Sequence, residues 1–298
     1  MMISDFIEKY DPNRFRQPFL IAEAGVNHEG SIEIAKRMID EAKEGGADAI
    51  KFQSYKAEKI AVKNSPAYWD LNHEPTKSQY ALFKKHDKFW KKEFIELKEY
   101  CSEAKIEFLS TPFDIESAFF LNDLMGSFKI SSSDLNNKPF IEKICKFKKP
   151  IILSTGASYY WEIDQAVDFI KIYGNKLALL HCILNYPTLD KNANLSKIPS
   201  LIKKFPDIPI GYSDHTLPKD MKTLEIASLL GASIIEKHFT HDKKLKGNDH
   251  YHSMDIEDLR NFKKRMNSII EIMGDVNKEV LDSEKVSRAN ARRSLVSS

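Results

Sequence analysis

The chain has 298 residues, of which 42% are hydrophobic, and its 45 basic residues nearly balance its 43 acidic ones. This composition supports a sizeable core and argues against disorder, and the balanced charge argues against a nucleic-acid partner. The cysteines Cys101, Cys145 and Cys182 are far apart and form no CxxC pair, which argues against a disulfide framework or zinc ribbon and favours the reducing cytoplasm.

The N-terminal stretch MMISDFIEKYDPNRFRQP is charged and contains no apolar run, so it lacks the pattern of a signal peptide. Elsewhere, no apolar stretch approaches the ~20 residues that a membrane-spanning helix needs. We therefore expect no membrane partner.

From Phe19 onward, short apolar runs alternate with amphipathic helical patterns. The runs predict eight strands, which are in order FLIAEA, DAIKFQ, EFLSTP, SFKISS, PIILSTG, LALLHC, IPIGYS and SIIEKHF. Eight strand–helix units in about 250 residues match the size and repeat of a (β/α)₈ TIM barrel. The rival fold is an open doubly wound sheet, which usually carries a GxGxxG turn after its first strand, and EAGVNHEGS does not fit that pattern.

Two segments fall outside this repeat. Residues 54–89 are long for a connection between a strand and a helix, which usually takes about 2–6 residues, and we expect a lid or a subunit contact there. The segment after Met273 is charged and poor in large apolar residues. We therefore predict a barrel domain over residues 1–275 and a linker over residues 276–298.

Every predicted strand has polar or charged residues at or just after its C-terminal end, where the active sites of TIM barrels lie. Each residue alone has an ordinary structural interpretation, because a Ser or Thr there often caps the next helix and a single His or Glu often forms one local hydrogen bond or ion pair. Their coincidence at eight strand ends favours a functional site. The residues are Glu23, Asn27, His28, Lys51, Gln53, Ser110, Thr111, Lys129, Ser131, Ser132, Ser154, Thr155, His181, Asn185, Tyr186, Ser213, His215, Glu236 and His238.

Two of these residues are lysines, which are costly to bury inside a barrel unless they are paired. Lys51 and Lys129 therefore indicate that an anion visits the mouth. With the hydroxyls of Thr111, Ser132 and Ser213 they could bind a phosphate or a carboxylate.

His215 and His238 lie on neighbouring predicted strands. Two imidazoles with a carboxylate such as Glu23 and water would suit a divalent metal that keeps open positions. Zinc usually takes a third firm nitrogen or sulfur ligand, so the set favours Mn²⁺ or Mg²⁺.

The neighbours of these histidines have predicted positions of their own. Because side chains alternate along a strand, Asp214 should face away from Ser213 and His215 as a cap or a supporting partner. Asp249, in the loop after the last strand, could fold over the mouth and hold substrate hydroxyls. Ser253 is predicted to be the N-cap of the last helix.

Nine blocks of the sequence, in chain order, resemble the catalytic barrel of the sialic acid synthase family, the phosphoenolpyruvate-dependent synthases of nonulosonic acids. These blocks are IAEAGVNHEGS, GADAIKFQSYKAE, FLSTPFD, FKISSSDLNN, PIILSTGAS, LLHCILNYPT, IGYSDHT, EKHFT and GNDHYHSM. The resemblance implies condensation of phosphoenolpyruvate with an open-chain N-acetylated hexose, either N-acetylmannosamine or a di-N-acetyl 6-deoxyhexose. The products would be a nine-carbon 2-keto acid and phosphate.

The same resemblance implies residue roles. The implied metal ligands are His215 and His238, with Mn²⁺ as the usual ion and Mg²⁺ or Co²⁺ as alternatives. The implied phosphoenolpyruvate contacts are Lys51, Thr111, Lys129, Ser132 and Ser213, with Asn185 in place of a polar residue of some relatives. The implied sugar contacts are Glu23, Gln53, Asn72, Tyr186 and Asp249. The residues expected to carry the reaction are Glu23, Lys51, Lys129, His215 and His238.

The family usually forms homodimers and continues into a small C-terminal domain similar to type III antifreeze proteins, whereas this sequence ends at ARRSLVSS. We therefore expect a homodimer and a linker that leads to such a domain. Two alternatives stay open: a Schiff-base aldolase that uses Lys51 or Lys129, and a catalytically silent barrel that acts as a scaffold.

Overall fold

The computed structural model describes residues 1–11, 16–247, 249–274 and 279–294. Within these ranges, eight parallel strands form one sheet: β1 (Phe19–Gly25), β2 (Ala49–Ser54), β3 (Glu107–Pro112), β4 (Phe128–Ile130), β5 (Ile151–Ser154), β6 (Leu177–Cys182), β7 (Ile210–Asp214) and β8 (Ile234–His238). Their hydrogen-bonded order is β3-β2-β1-β8-β7-β6-β5-β4, and β4 lies next to β3. The sheet is a nearly closed barrel, so the predicted (β/α)₈ fold is confirmed.

Helices follow the strands and cover the outside of the barrel. Their bounds are α1 (Ile3–Glu8), α2 (Ile32–Gly45), α3 (Ala57–Ile60), α4 (Gln79–His86), α5 (Lys91–Ala104), α6 (Ile115–Leu121), α7 (Lys138–Lys146), α8 (Tyr160–Ile172), α9 (Lys197–Lys204), α10 (Lys222–Leu229), α11 (Ile256–Met273) and α12 (Lys285–Asn290). In the part of the chain that the structure describes, no helix is long and apolar enough to cross a membrane.

Alternation along the strands divides the core into two apolar layers. Side chains that point outward, such as Ile50 and Phe52, pack against the helices. Side chains that point inward near the N-terminal ends of the strands, such as Ile21 and Leu109, fill the barrel. At Gly211 in β7 the interior leaves no room for a side chain, because a Cβ atom there would lie 2.4 Å from the carbonyl oxygen of Ile234.

The N-terminal end of the barrel is closed by α1, a helix that the sequence analysis did not predict. Its Ile3, Phe6 and Ile7 are buried in the same apolar cluster as the inward-pointing strand residues. The backbone N–H of Ile3 donates a 2.7 Å hydrogen bond to Oε2 of the buried Glu107 in β3. The interior is therefore apolar and filled at this end.

The long connection after β2 holds α3 and α4 and a compact loop over residues 66–78. Trp69 Nε1 donates to the carbonyl oxygens of Glu74 and Thr76, which ties the loop to itself. The ring of His73 stacks on Tyr251 at 4.0 Å. The predicted lid segment thus contacts the loop that follows β8, at the C-terminal end of the barrel.

The predicted linker, residues 276–298, is described in part. Residues 279–294 are exposed and contain α12, whereas 275–278 and 295–298 lie outside the described residues. The division into a barrel and a linker stays a prediction.

Candidate active site

A cavity of about 500 Å³ opens at the C-terminal ends of the strands. Its walls include most of the predicted site residues: Glu23, Lys51, Gln53, Thr111, Lys129, Ser132, Tyr186, Ser213, His215, His238 and Asp249. Ser154 at the end of β5 also lines the cavity, so residues from all eight strand ends meet in one space, as the alternation of each strand and the geometry of a barrel require.

Glu236 lies between the two lysines at the bottom of this cavity. Its Oε1 is 3.5 Å from Lys129 Nζ and accepts a 3.0 Å hydrogen bond from Ser213 Oγ. Its Oε2 is 3.7 Å from Lys51 Nζ. One buried carboxylate thus contacts both cations.

Lys51 has two further partners. It forms a close ion pair with Glu23 and donates a 2.9 Å hydrogen bond to Thr111 Oγ1. Glu23 also accepts a 3.0 Å hydrogen bond from Gln53 Nε2. The lysines were expected to need a visiting anion, but Glu23 and Glu236 already pair with them, so burial of the lysines alone does not require a ligand.

These contacts separate the ionisation of the two carboxyl groups. Burial raises the pKa of Glu23 to about 7, although Lys51 opposes the shift. Burial would also raise the pKa of Glu236, but Lys129 and Lys51 lower it to about 2. For the lysines, burial lowers the pKa of Lys129, whereas Glu23 and Glu236 overcome the effect of burial and raise the pKa of Lys51. The cavity therefore contains a firmly ionised Glu236 beside a Glu23 that can take up a proton near neutral pH.

His215 and His238 face each other above this ion-pair cluster, with their ring centroids 5.5 Å apart. Burial lowers the pKa of His215 to about 4 and that of His238 well below its ordinary value, so both rings are neutral at pH 7. His215 Nδ1 lies 2.7 Å from the carbonyl oxygen of Ile183. Because a carbonyl only accepts, Nδ1 carries the hydrogen and Nε2 keeps its lone pair.

Two neutral imidazoles in a buried cavity can supply two nitrogen ligands to a divalent metal. Among the described residues, no group of three or more His, Cys, Asp or Glu side chains is arranged to hold a metal. The donor set therefore fits an open site that takes its remaining ligands from water or substrate, and it does not fit a closed structural site.

The outer part of the cavity is bounded by Tyr186 and Asp249. The Tyr186 ring lies 4.1 Å from the His215 ring, and its backbone carbonyl accepts a 3.2 Å hydrogen bond from Tyr251 OH. Asp249 Oδ2 is 3.8 Å from His238 Nδ1. Burial would raise the pKa of Asp249, but His238 and His252 lower it, so this carboxylate is ionised.

Six predicted residues do not line the cavity. Four of them are buried elsewhere in the barrel: His28, Ser110, Thr155 and His181. The other two are Asn72 and Asn185. Asn72 is exposed on the 66–78 loop, where its Nδ2 donates to Asp70 Oδ1 at 2.9 Å. Asn185 is exposed because its neighbours Leu184 and Tyr186 are the residues that face the cavity. The structure therefore does not bring Asn72 or Asn185 to the site, and the sugar and phosphoenolpyruvate contacts expected of them stay predictions.

The expected position of Asp214 is confirmed. It points away from the cavity, accepts a 3.0 Å hydrogen bond from the backbone N–H of Thr216, and pairs with Lys237 at 2.6 Å. These contacts fix the turn that contains His215.

The prediction that Ser253 caps the last helix is wrong. Asp255 is the N-cap of α11 and accepts from the backbone N–H groups of Glu257 and Asp258. Ser253 instead donates a 2.6 Å hydrogen bond to the carbonyl oxygen of Asp249 and accepts one from Asn27 Nδ2. It anchors the loop above the cavity.

Three residues at the site have no specific role predicted from the sequence. Glu236 was expected at the mouth as a strand-end residue, but its contact with both lysines was not predicted. Cys182 lines the cavity with its Sγ 3.8 Å from His215 Nδ1, and it ends β6 as the other site residues end their strands. No comparable signal exists for His252, which lies in a short 3-10 helical turn (His250–His252) after β8.

Comparisons with known proteins identify the family of this chain. The NeuB family model matches residues 38–278. An N,N'-diacetyllegionaminic acid synthase of Legionella pneumophila is 40% identical over 93% of this chain and 79% of its own length. An N-acetylneuraminate-9-phosphate synthase of Mus musculus is 35% identical over 93% of this chain and 77% of its own length.

The three-dimensional fold of this chain is also similar to that of a solved structure. The crystal structure of an N-acetylneuraminic acid (sialic acid) synthetase from Leptospira borgpetersenii, in complex with citrate, superposes with a TM-score of 0.81 at 36% identity and covers 93% of this chain and 94% of that one. The resemblance seen in the sequence is thereby confirmed, and the chain belongs to the NeuB family.

Proposed function

We propose that this protein is a phosphoenolpyruvate-dependent synthase of nonulosonic acids. It would join the methylene carbon of phosphoenolpyruvate to the aldehyde carbon of an open-chain N-acetylated hexose, add water at C2, and release phosphate. The support is the similarity to named synthases of legionaminic and N-acetylneuraminic acid type together with the chemistry of the cavity. The proposal is therefore a transferase that makes a nine-carbon 2-keto acid.

The observation that carries this proposal is the placement of two buried lysines and two buried neutral histidines in one cavity. Lys51 and Lys129 are 3% and 4% exposed, so their charges act with little screening by water. Phosphoenolpyruvate carries a carboxylate and a phosphate, and two fixed cations beside the hydroxyls of Thr111 and Ser213 suit such a ligand. The same contacts would orient it toward the outer half of the cavity.

The carboxylates give the lysines their positions. Glu236 holds Lys129 and Lys51 at fixed separation, so the cation pair is set before a ligand enters. Glu23, with a pKa of about 7, can hold or release a proton at a carboxyl oxygen near the reacting carbons. Tyr186 and Asp249, which line the outer part of the cavity, are the proposed contacts of the acceptor hydroxyls.

The proposal includes a divalent metal, with Mn²⁺ expected and Mg²⁺ or Co²⁺ as alternatives, held by Nε2 of His215 and by the ring of His238. When bound, such an ion would polarise the aldehyde of the acceptor as a Lewis acid. The hydrogen bond from His215 Nδ1 to Ile183 fixes the tautomer that this ligation needs.

The acceptor can be identified by product analysis. The protein is incubated with phosphoenolpyruvate and Mn²⁺ and with either N-acetylmannosamine or 2,4-diacetamido-2,4,6-trideoxymannose, and phosphate release and product mass are measured. Release of phosphate with a product that combines both substrates supports the proposal. Absence of release with every acceptor, including when a C-terminal domain of the family is supplied separately, would favour the silent scaffold.

The Schiff-base aldolase finds no support in the geometry of Lys51, because its ion pairs with Glu23 and Glu236 stabilise the charged amine. Treatment with borohydride in the presence of a 2-keto acid tests this alternative. A covalent adduct on Lys51 or Lys129, with turnover that chelators do not affect, would overturn the synthase proposal.

We also propose that the protein acts as a homodimer in the cytoplasm, where phosphoenolpyruvate is produced. Light scattering after size exclusion tests the oligomeric state, and a monomer at micromolar concentration would contradict it.

A further inference from the structure

His252 is a buried residue that the proposed reaction does not use. Its side chain is 0% exposed, and neither ring nitrogen has a hydrogen-bond partner of normal geometry among the described residues. Buried polar groups are nearly always paired, since an unpaired one loses its bonds to water and gains nothing in return. This residue therefore calls for an explanation.

The ring of His252 is buried behind the cavity wall, in contact with Asp249, His238 and Tyr186. Its Nε2 is 3.4 Å from Asp249 Oδ1, while Asp249 Oδ2 is 3.8 Å from His238 Nδ1. The His252 ring also meets the His238 ring at 5.0 Å and the Tyr186 ring at 5.7 Å. One carboxylate thus stands between two imidazoles.

The backbone of this loop is fixed by another residue. Ser253 donates to the carbonyl oxygen of Asp249, and Asn27 in turn donates to Ser253 and to the carbonyl oxygen of Phe239. These bonds hold the Asp249 backbone but do not act on its carboxylate. A short shift of the carboxylate would bring Nε2 of His252 to normal hydrogen-bond distance.

We propose that His252 is a positioning residue that donates its Nε2–H to Asp249 Oδ1 and so directs Oδ2 toward His238 and the acceptor. This inference rests on the proposed function, because it assigns Asp249 to the sugar. A carboxylate held at one oxygen presents the other in a single direction, which favours recognition of one hydroxyl arrangement.

Matched substitutions test this role. His252→Leu removes the donor, and His252→Gln keeps an N–H near the position of Nε2. His241→Leu, in the same loop but outside the cavity lining, is the control. We expect His252→Leu to raise KM for the acceptor ~10-fold or more, with KM for phosphoenolpyruvate within ~2-fold of the parent value, and His252→Gln to recover most of the loss.

The outcomes separate the inference from the proposed function. If the parent protein is active and His252→Leu leaves KM for the acceptor unchanged, the positioning role is wrong. A parallel rise of both KM values with a lower melting temperature would also overturn it, because that pattern reflects a general loss of structure. If the parent protein itself releases no phosphate with any acceptor, the proposed function fails.

A second measurement does not depend on turnover or on the folding of the Leu variant. Long-range ¹H–¹⁵N spectra of the intact protein report which ring nitrogen of each histidine carries the hydrogen. We expect His252 to carry it on Nε2 and its signals to shift in Asp249→Ala. A hydrogen on Nδ1, or signals unchanged in that variant, would overturn the inference.

Discussion

The interior of the barrel buries Glu107 at its closed end and Glu236 at its open end, and the pKa values of these two carboxyl groups are shifted in opposite directions. At the closed end, Glu107 accepts the Ile3 N–H, no salt bridge to it is found among the described residues, and burial raises its pKa to about 7. At the open end, Glu236 contacts Lys51 and Lys129, and these cations lower its pKa to about 2 against the effect of burial. The same residue type is thus made a weak acid in one place and a permanent anion in the other.

The difference between the two pKa shifts reflects the different surroundings at the two ends of the barrel. The closed end is filled by apolar side chains of α1. A charged group buried there lowers the stability of the fold, and the apolar packing compensates for that loss. At the open end the strand residues become polar, and charges are present in opposite pairs. We expect substitutions at the closed end to change stability alone and those at the open end to change activity.

The largest effect is expected at the open end, from His215→Ala. Loss of one of two nitrogen ligands should reduce metal-dependent turnover roughly 1000-fold, a loss comparable with removing a key electrostatic group. The melting temperature should change little, because the turn around His215 is held by Asp214. Phosphate release and thermal melting measure the two quantities, and His241→Ala is the control. Retained activity with all metal chelated would contradict the ligand assignment.

The next effect concerns the closed end. Phe6→Ala should lower the free energy of unfolding by about 3–5 kcal/mol, because it removes a large buried ring from the cluster that fills the barrel. Phe119→Ala removes a ring that is 56% exposed and should cost less than about 1 kcal/mol. Urea unfolding gives both values. A large drop in kcat of folded Phe6→Ala would show that the two ends are not independent.

Glu236→Gln is expected to destabilise the protein at pH 7 by about 3 kcal/mol, because it leaves Lys129 buried without its only salt-bridge partner among the described residues. The substitution preserves size and shape, so the loss reports charge pairing rather than packing. Urea unfolding at pH 7 measures the loss. Unchanged stability would mean that the lysines are not held by this carboxylate.

Glu107→Gln, the same substitution at the closed end, is expected to stabilise the protein, whereas Glu236→Gln destabilises it. The folded pKa of Glu107 is about 7, above the ordinary 4.5, so the folded state binds more protons than the unfolded state between these values and stability falls as pH rises through that window. Glutamine removes this dependence. We expect a gain of about 3 kcal/mol at pH 9 that falls to about 1 kcal/mol at pH 5, measured by urea unfolding. A gain equal at both pH values would rule out the ionisation of Glu107 as its source.

The barrel itself could be predicted from the sequence because each strand is a separate apolar run followed by a helical pattern. Predicted strand starts at Phe19, Glu107 and Leu177 coincide with the observed ones. The positions of Ser213, Asp214 and His215 also followed from strand alternation alone. These features depend only on neighbours in the sequence.

What the sequence could not supply depends on residues distant in the chain. The pairing of Glu236 with both lysines is set by the stagger of β8 against β2 and β4, which no single strand encodes. Helix α1, which closes the N-terminal end of the barrel, was not predicted because six residues next to a charged stretch give a weak helical pattern. Asn185 was placed at the site by its position after a strand, but the chain turns there and Leu184 and Tyr186 face inward.

The closure of the barrel by α1 also has a consequence for the order in which the substrates of the proposed reaction bind. Since α1 fills the N-terminal end of the barrel, the substrates and products of the proposed reaction would pass through the C-terminal end, where Tyr186 and Asp249 line the cavity. A ligand seated on Lys51 and Lys129 lies beneath one seated against Asp249, so the deeper substrate must arrive before the outer one. We therefore expect an ordered binding mechanism, in which an acceptor analogue that binds first blocks the entry of phosphoenolpyruvate.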